Sequence, residues 1–238
     1  MTIQQDAAYA LALMDLTSLN ENDTEQSILA LLDSVRPEIG LPAAICVYSR
    51  FVGLVKKELV RRNWNSVKVA TVTNFYDGEQ SLETVLKETE QALIDGVDEI
   101  DLVIPYKELI NGELRNARLY VAKSKKLCID YKACLKVIIE SGELKEPELI
   151  KKASILAIDA GADFIKTSTG KVPVNATLEA TEIMLDAIKA SGREVGFKAA
   201  GGVKSKGDAL KMITLGVERI GTSSAKKIIE ETIIETEY

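Results

Sequence analysis

The sequence predicts a single eight-stranded parallel (β/α)8 barrel, a TIM barrel, that spans residues 1–238. Short apolar runs recur at spacings of about 25 to 35 residues, which is the size of a βα unit. The runs are continuous rather than alternating, as expected for strands that are buried on both faces. A doubly wound open sheet is the alternative, but it predicts a glycine-rich fingerprint after the first strand, where this chain has Asp15-Leu16-Thr17-Ser18.

The first half of the chain supplies four of these units. Helices are indicated by apolar residues at helical spacing, such as Ile28, Leu31 and Val35, for which Asn22 or Asp23 is the expected N-cap. The four strands are predicted at residues 11–16, 43–47, 67–72 and 100–104.

The second half repeats this order. Pro147 suits the first turn of a helix, Thr177 and Ser205 are predicted N-caps, and Ser224 is expected to begin the closing helix. The last four strands are predicted at residues 135–139, in the run that ends at Lys166, and at residues 195–198 and 219–221.

A sequence repeat supports the barrel. Residues 96–101, 161–166 and 216–221 each begin with a helix-ending Gly, followed by an acidic residue two positions later and Ile four positions later. Alternate strands of a barrel contribute side chains to one interior layer, so Asp101 and Lys166, at the fifth place, should point inward at similar height. A common helix-to-strand loop would explain the Gly and the Ile, but not these charged residues.

The composition excludes several classes of protein. A formal net charge of -6 argues against nucleic acid or an anionic membrane as the main partner. The three cysteines have no C-x-x-C spacing, which suits free thiols in a reducing cytoplasm. Neither a signal peptide nor an apolar run of the roughly 18 residues needed for a membrane span is predicted. Because the chain has no histidine, a zinc site would lack its commonest ligand.

Charged residues gather at the predicted carboxyl ends of the strands, where barrels carry their chemistry. A lysine attacks a carbonyl only as the neutral amine, and Lys198 beside Lys166 would lower the pKa of Lys166. Asp101 would hold Lys198 charged or exchange protons with it. Amine catalysis is therefore predicted, and a structural ion-pair network is the alternative. The residues concerned are Asp15, Cys46, Asp101, Lys136, Lys166 and Lys198.

Glycine-containing turns follow the late strands, at residues 169–171, 200–203 and 221–224. Ser223 and Ser224 open the final helix, and free N–H groups at a helix N-terminus bind phosphate. The loops after strands seven and eight are the usual phosphate site of such barrels. A phosphate-binding site is therefore predicted next to Lys166.

These motifs resemble those of the deoxyribose-phosphate aldolase family, and the resemblance covers nearly the whole chain. The matching segments are residues 14–17, 44–48, 101–103, 135–138, 164–170, 197–202 and 221–224. The resemblance implies a class I (Schiff-base) aldolase without cofactor or metal. Its reaction would be the reversible cleavage of 2-deoxy-D-ribose 5-phosphate to acetaldehyde and D-glyceraldehyde 3-phosphate, in deoxyribonucleotide catabolism.

The resemblance also implies roles for individual residues. Lys166 is the expected Schiff-base lysine, and Lys198 and Asp101 are the expected proton-relay pair. The expected substrate-binding residues are Asp15, Thr17, Cys46, Lys136, Thr169, Gly170, Lys171, Gly201, Gly202, Val203, Gly221, Ser223 and Ser224. Tyr238, the last residue, would relay a proton if it entered the site as in some relatives, and a mobile bystander is the alternative.

The chain departs from the family at two positions. Tyr76 stands where the family usually has Pro after Phe, and Lys204 stands where some members have Arg, so a bidentate grip on phosphate is lost.

Two other functions stay open at the level of sequence. One is a barrel aldolase that uses lysine with a transaldolase-like or keto-acid donor, and the other is a non-catalytic sugar-phosphate-binding barrel. The implied partners are sugar phosphates and aldehydes, with no nucleic acid and no membrane, in the cytoplasm. The sequence does not determine the oligomeric state, for which a homodimer is the working expectation.

Overall fold

The computed structural model describes residues 3–234, with side chains for residues 7–231. Eight parallel strands pair in chain order and close into a barrel, since β1 pairs with both β2 and β8. The fold is therefore the predicted (β/α)8 TIM barrel. The strands are β1 (Met14–Ser18), β2 (Ala44–Val47), β3 (Lys68–Thr73), β4 (Glu99–Val103), β5 (Cys134–Ile138), β6 (Phe164–Lys166), β7 (Gly196–Ala200) and β8 (Arg219–Thr222).

Helices surround the barrel, and several begin where the sequence predicts. Pro147 is the first residue of α8, while the side chains of Thr177 and Ser205 accept backbone N–H groups of the helices that they cap. The helices are α1 (Ile3–Ala12), α2 (Glu25–Asp33), α3 (Val52–Arg61), α4 (Leu82–Ile94), α5 (Tyr106–Ile110), α6 (Leu114–Tyr131), α7 (Ser141–Leu144), α8 (Pro147–Asp159), α9 (Leu178–Ser191), α10 (Lys206–Thr214) and α11 (Ala225–Ile234).

The beginning of the chain differs from the prediction. Leu11 and Ala12 belong to α1, and the first strand starts only at Met14. The apolar run continues from helix into strand, so hydrophobicity alone does not mark the boundary. The N-cap of α2 is Thr24, not Asn22 or Asp23, because Thr24 and Ser27 form a reciprocal capping box.

In two of the three repeats the acidic residue ties its strand, β4 or β6, to the strand before it. Asp98 accepts the backbone N–H of Val69 at the start of β3 and pairs with Lys56 of α3. Asp163 accepts the N–H of Leu135 on β5 and pairs with Lys125 of α6. These carboxylates therefore hold neighbouring units together at the amino-terminal end of the barrel.

The main hydrophobic core lies between the barrel and the helices, and a smaller apolar cluster includes Ala44, Cys46, Ala70 and Val72 of β2 and β3. Within residues 3–234, no helix combines the length and apolarity that crossing a membrane requires.

Candidate active site

Three lysines converge on one carboxylate inside the barrel. Asp101 Oδ2 accepts hydrogen bonds from Lys166 Nζ at 2.8 Å and from Lys198 Nζ at 2.7 Å, and Asp101 Oδ1 accepts one from Lys136 Nζ at 2.8 Å. These residues lie on β4, β6, β7 and β5. Asp101 and Lys166 therefore face inward at similar height, as the repeat predicts.

A second level of charge lies closer to the amino-terminal end of the barrel. Arg219 of β8 pairs with Glu99 of β4 at 2.9 Å and with Asp15 Oδ1 of β1 at 2.6 Å. Asp15 Oδ2 accepts Lys198 Nζ, and Glu99 contacts Lys136 Nζ, so the two levels are continuous. We call the seven residues the ion-pair cluster: Asp15, Glu99, Asp101, Lys136, Lys166, Lys198 and Arg219.

Two glycines give the long side chains room. A Cβ at Gly221 would press on the Cε of Lys198 at 3.1 Å, and a Cβ at Gly196 would collide with the ring of Phe164. That ring lies under the guanidinium of Arg219, 5.7 Å from its centroid. Both glycines are therefore required by the large residues that share the barrel interior.

The three barrel lysines are in different electrostatic states. Burial lowers the pKa of Lys166, the charge of Lys198 lowers it further, and Asp101 only partly opposes them. Burial also disfavours the charged forms of Lys198 and Lys136, but the carboxylates around each lysine raise its pKa above the usual range. Lys166 is thus the amine most ready to become neutral, which is the form that attacks a carbonyl.

The carboxylates are held ionised. Burial alone would raise the pKa of Asp15 and Asp101, but their basic partners outweigh it and keep both pKa values well below the usual range. Cys46 lies nearby on β2, and burial, followed by the charge of Asp101, raises the pKa of its thiol. Cys46 is therefore a neutral thiol at neutral pH.

A cavity of 210 Å³ opens above Lys166. The predicted site residues that line it are Thr17, Lys166, Thr169, Gly170, Lys171, Gly201, Gly202, Val203, Gly221 and Ser223. Ala200 and Thr222 of the predicted turns line it too, and sequence reasoning missed Ser18, Leu19 and Asn20. Lys204 also lines it. Asp15, Cys46, Asp101, Lys136 and Lys198 have no exposed surface and lie beneath the cavity. The structure thus brings Lys166 together with the predicted phosphate turns.

The turns around the cavity present backbone rather than side chains. Gly170, Gly201 and Gly202 have positive φ angles of 83°, 76° and 84°, and a Cβ at Gly201 would collide with Asn175. In the described part of the chain, the N–H groups of Gly170, Gly202 and Ser223 donate no hydrogen bond to another protein group. Ser224 is different, since its N–H donates to Thr222 Oγ1 at 2.9 Å.

Comparison with known proteins decides the family. The model of the DeoC/LacD family aldolases matches residues 9–227. The chain belongs to the DeoC/LacD family of aldolases. It is accordingly an aldolase, a lyase that breaks or forms a carbon–carbon bond.

Solved structures similar to this aldolase carry related names. A candidate deoxyribose-phosphate aldolase from Coccidioides immitis is 29% identical, with a TM-score of 0.86 over 94% of this chain and 86% of that one. An aldolase called QR15 is 31% identical, with a TM-score of 0.84 over 95% and 96%. The tetrameric deoxyribose phosphate aldolase of Aeropyrum pernix is 25% identical, with a TM-score of 0.82 over 99% and 98%.

Three charged residues of the aldolase's interior escaped sequence analysis. Glu99 and Arg219 stand two residues before Asp101 and Gly221 on the same strands, so the two-residue period of a strand would have placed them on the inward face. Glu140 lies two residues after the end of β5 and is fully buried. Its carboxylate accepts the backbone N–H of Thr169 at 3.2 Å. Its signal in the sequence was a single acidic residue after three apolar residues, Val137, Ile138 and Ile139.

Other predicted residues of the aldolase lie at the edge of the site or beyond it. Lys171 Nζ donates to the carbonyl of Leu19 at 2.6 Å, which joins the loop after β6 to the loop after β1. Tyr76 is half-exposed and packs edge-on against Phe75. Tyr238 lies outside the described residues. Among the residues described, no group of three or more Cys, Asp or Glu side chains is placed to hold a metal ion.

Proposed function

We propose that this aldolase is a Schiff-base deoxyribose-phosphate aldolase in which Lys166 carries the substrate. The observation behind the proposal is the position of Lys166. It is the one barrel lysine that both belongs to the ion-pair cluster and lines the cavity in the described structure. Its lowered pKa favours the neutral amine that imine formation needs.

The chemistry follows from that position. Lys166 Nζ attacks C1 of the open-chain sugar, and loss of water leaves an iminium ion. When the C3 hydroxyl loses its proton, the C2–C3 bond breaks, its electron pair forms the enamine, and C3 leaves as the aldehyde of glyceraldehyde 3-phosphate. Protonation of the enamine carbon and hydrolysis then release acetaldehyde and restore the amine.

The Asp101–Lys198 pair is the proposed carrier of these protons. Asp101 Oδ2 lies within 2.8 Å of both lysine nitrogens, so a proton moves between them across one oxygen. Lys198 itself keeps a raised pKa, because Asp101 and Asp15 outweigh the effect of burial. It therefore supplies a proton and recovers it rather than acting as the nucleophile.

The phosphate end of the substrate is assigned to the turns of the cavity. The N–H groups of Gly170, Gly202 and Ser223 and the amines of Lys171 and Lys204 provide donors and positive charge there. The similarity to the Coccidioides immitis and Aeropyrum pernix proteins supports deoxyribose 5-phosphate as substrate, and hence a role in deoxyribonucleotide breakdown. The cytoplasmic location and the homodimeric state stay predictions.

The decisive experiment is reduction with borohydride in the presence of acetaldehyde, followed by mass analysis of the digested protein. A two-carbon adduct is expected on the peptide that contains Lys166. Lys204→Met is the matched control, because Lys204 lines the same cavity but lies outside the ion-pair cluster, so the adduct should persist. Lys166→Arg should form none, since a guanidinium does not lose its proton.

The outcomes separate the alternatives. An adduct only on Lys136 or Lys198 would contradict the assignment of Lys166. An adduct with pyruvate or dihydroxyacetone but not with acetaldehyde would identify a different lysine aldolase. Substrate binding without any adduct would identify a non-catalytic barrel. Release of glyceraldehyde 3-phosphate from 2-deoxy-D-ribose 5-phosphate would establish the substrate.

A further inference from the structure

The ion-pair cluster contains more basic groups than acidic ones. Asp15, Glu99 and Asp101 face Lys136, Lys166, Lys198 and Arg219. With every group ionised, the cluster would carry a net positive charge in a place where most of its side chains have no exposed surface. An uncompensated buried charge is costly, so the cluster favours the loss of one proton.

Only one of the basic groups is poorly compensated. Lys136 contacts the carboxylates of Glu99 and Asp101, and Lys198 contacts those of Asp15 and Asp101. Among the residues with described side chains, Lys166 pairs with Asp101 alone, at the same oxygen that Lys198 uses. The proton is therefore lost most easily from Lys166.

Arg219 is the permanent cation of the cluster. A guanidinium stays protonated at any pH that the protein survives. Arg219 donates to Oδ1 of Asp15 and to both carboxylate oxygens of Glu99. These two carboxylates therefore stabilise the positive charges of the lysines less than they would without Arg219. Its own side chain is only 16% exposed, which limits screening by solvent.

We propose that Arg219 and Glu99 are positioning residues whose charges set the proton count of the cluster and leave Lys166 as the lysine that gives up its proton. Neither residue lines the cavity. Both act through Lys136, Lys198 and Asp15. This inference rests on the Schiff-base role of Lys166 proposed above.

Other groups that face Lys166 do not change the balance. Cys46 on β2 is a neutral thiol, because burial raises its pKa. Glu140, after β5, forms no ion pair in the described structure, and its carboxylate accepts the N–H of Thr169. Burial raises the pKa of Glu140 too, and its carboxylate is not in ion-pair contact with Lys166. Arg219 meets, besides Asp15 and Glu99, the uncharged ring of Phe164.

The test uses charge changes of opposite sign. Arg219→Gln removes the permanent cation, so the midpoint of borohydride trapping at Lys166 with acetaldehyde should move up by about one pH unit. Glu99→Gln removes a carboxylate and should move the midpoint down by a similar amount. The double variant should return it close to the wild-type value. Arg219→Lys keeps the charge and should leave the midpoint in place.

A purely structural role predicts something else. It lowers the extent of trapping at every pH, or shifts both single variants in the same direction, and either result overturns the proposal. Circular dichroism and the denaturant midpoint establish which variants fold. If Arg219→Gln does not fold, the downward shift of Glu99→Gln and the unchanged midpoint of Arg219→Lys still decide the question.

A second measurement separates this inference from the proposed function. Labelling of Lys166 by acetic anhydride as a function of pH reports the neutral amine without any aldehyde. If the midpoint of labelling shifts in opposite directions in Arg219→Gln and Glu99→Gln, but the wild type forms no acetaldehyde adduct, the charge inference is retained and the Schiff-base role is refuted. If the adduct forms with the same pH profile in all variants and the pH profile of labelling does not shift either, the Schiff-base role is retained and the charge inference is refuted.

Discussion

Replacement of Lys198 by methionine should raise the pKa of Lys166 by about two units. Both amines contact the same oxygen of Asp101, at 2.8 and 2.7 Å, so their nitrogens are at most about 5.5 Å apart. At an effective dielectric constant of about 20, two unit charges at that distance repel each other by about 3 kcal/mol. That energy corresponds to about two pKa units.

A further effect of the substitution acts in the same direction. Without Lys198, Asp101 Oδ2 is free to pair with Lys166 alone, which also favours the protonated amine. The neutral fraction of Lys166 at pH 7 should therefore fall about 100-fold. Methionine keeps an unbranched chain in the space beside Gly221, so packing is disturbed little.

The assay is the pH dependence of borohydride trapping at Lys166 with acetaldehyde. Lys198→Arg serves as the control, because it keeps the positive charge but cannot exchange a proton. The midpoint should rise in Lys198→Met and stay in Lys198→Arg. A midpoint that is unchanged in the methionine variant would refute the electrostatic coupling between the two lysines.

Four further predictions follow from the same structure. Asp101→Asn should lower kcat at least tenfold with a smaller change in KM, and a change confined to KM would contradict the relay. Ser224→Asp should raise KM for the phosphorylated aldehyde alone, and an equal loss with an unphosphorylated acceptor would point to a damaged fold. Tyr238→Phe should slow exchange of the acetaldehyde methyl protons into deuterated water, and wild-type exchange would make the tail a bystander. The folded-state pKa values of Asp15 and Asp101 are depressed, so their stabilisation is complete above their unfolded values near 4. The free energy of unfolding should therefore fall as the pH drops below about 4, and denaturant titrations at fixed pH measure it.

The barrel could be predicted from the sequence because its signals are local and repeated. Continuous apolar runs mark strands that are buried on both faces, and Pro147, Thr177 and Ser205 mark helix starts by backbone chemistry that depends little on the rest of the fold. The boundary between α1 and β1 could not be found in the same way. Alanine, leucine and methionine run through it, and each suits a buried helix as well as a buried strand.

The charged residues around Asp101 could be predicted from the sequence, but the charged residues nearer the amino-terminal end of the barrel could not. Asp101 and Lys198 lie in the middle of strands β4 and β7, and Lys166 ends β6, so each charge stands in an apolar run where it is conspicuous. Glu99 and Arg219 stand at the amino-terminal ends of β4 and β8, where a charge usually belongs to an exposed loop. Only the closure of the barrel brings these two together, because they are 120 residues apart in the chain.

Asp98 and Asp163 have a consequence for how the barrel can be altered. Each ties its own strand loop to the previous strand and to a helix lysine, so strand order is secured at the amino-terminal end of the barrel. The cavity and its turns lie at the opposite end. Loop grafts and insertions that change substrate choice can therefore be confined to the carboxyl-terminal end of the barrel. The contacts that fix the order of the strands lie at the amino-terminal end and would be left intact.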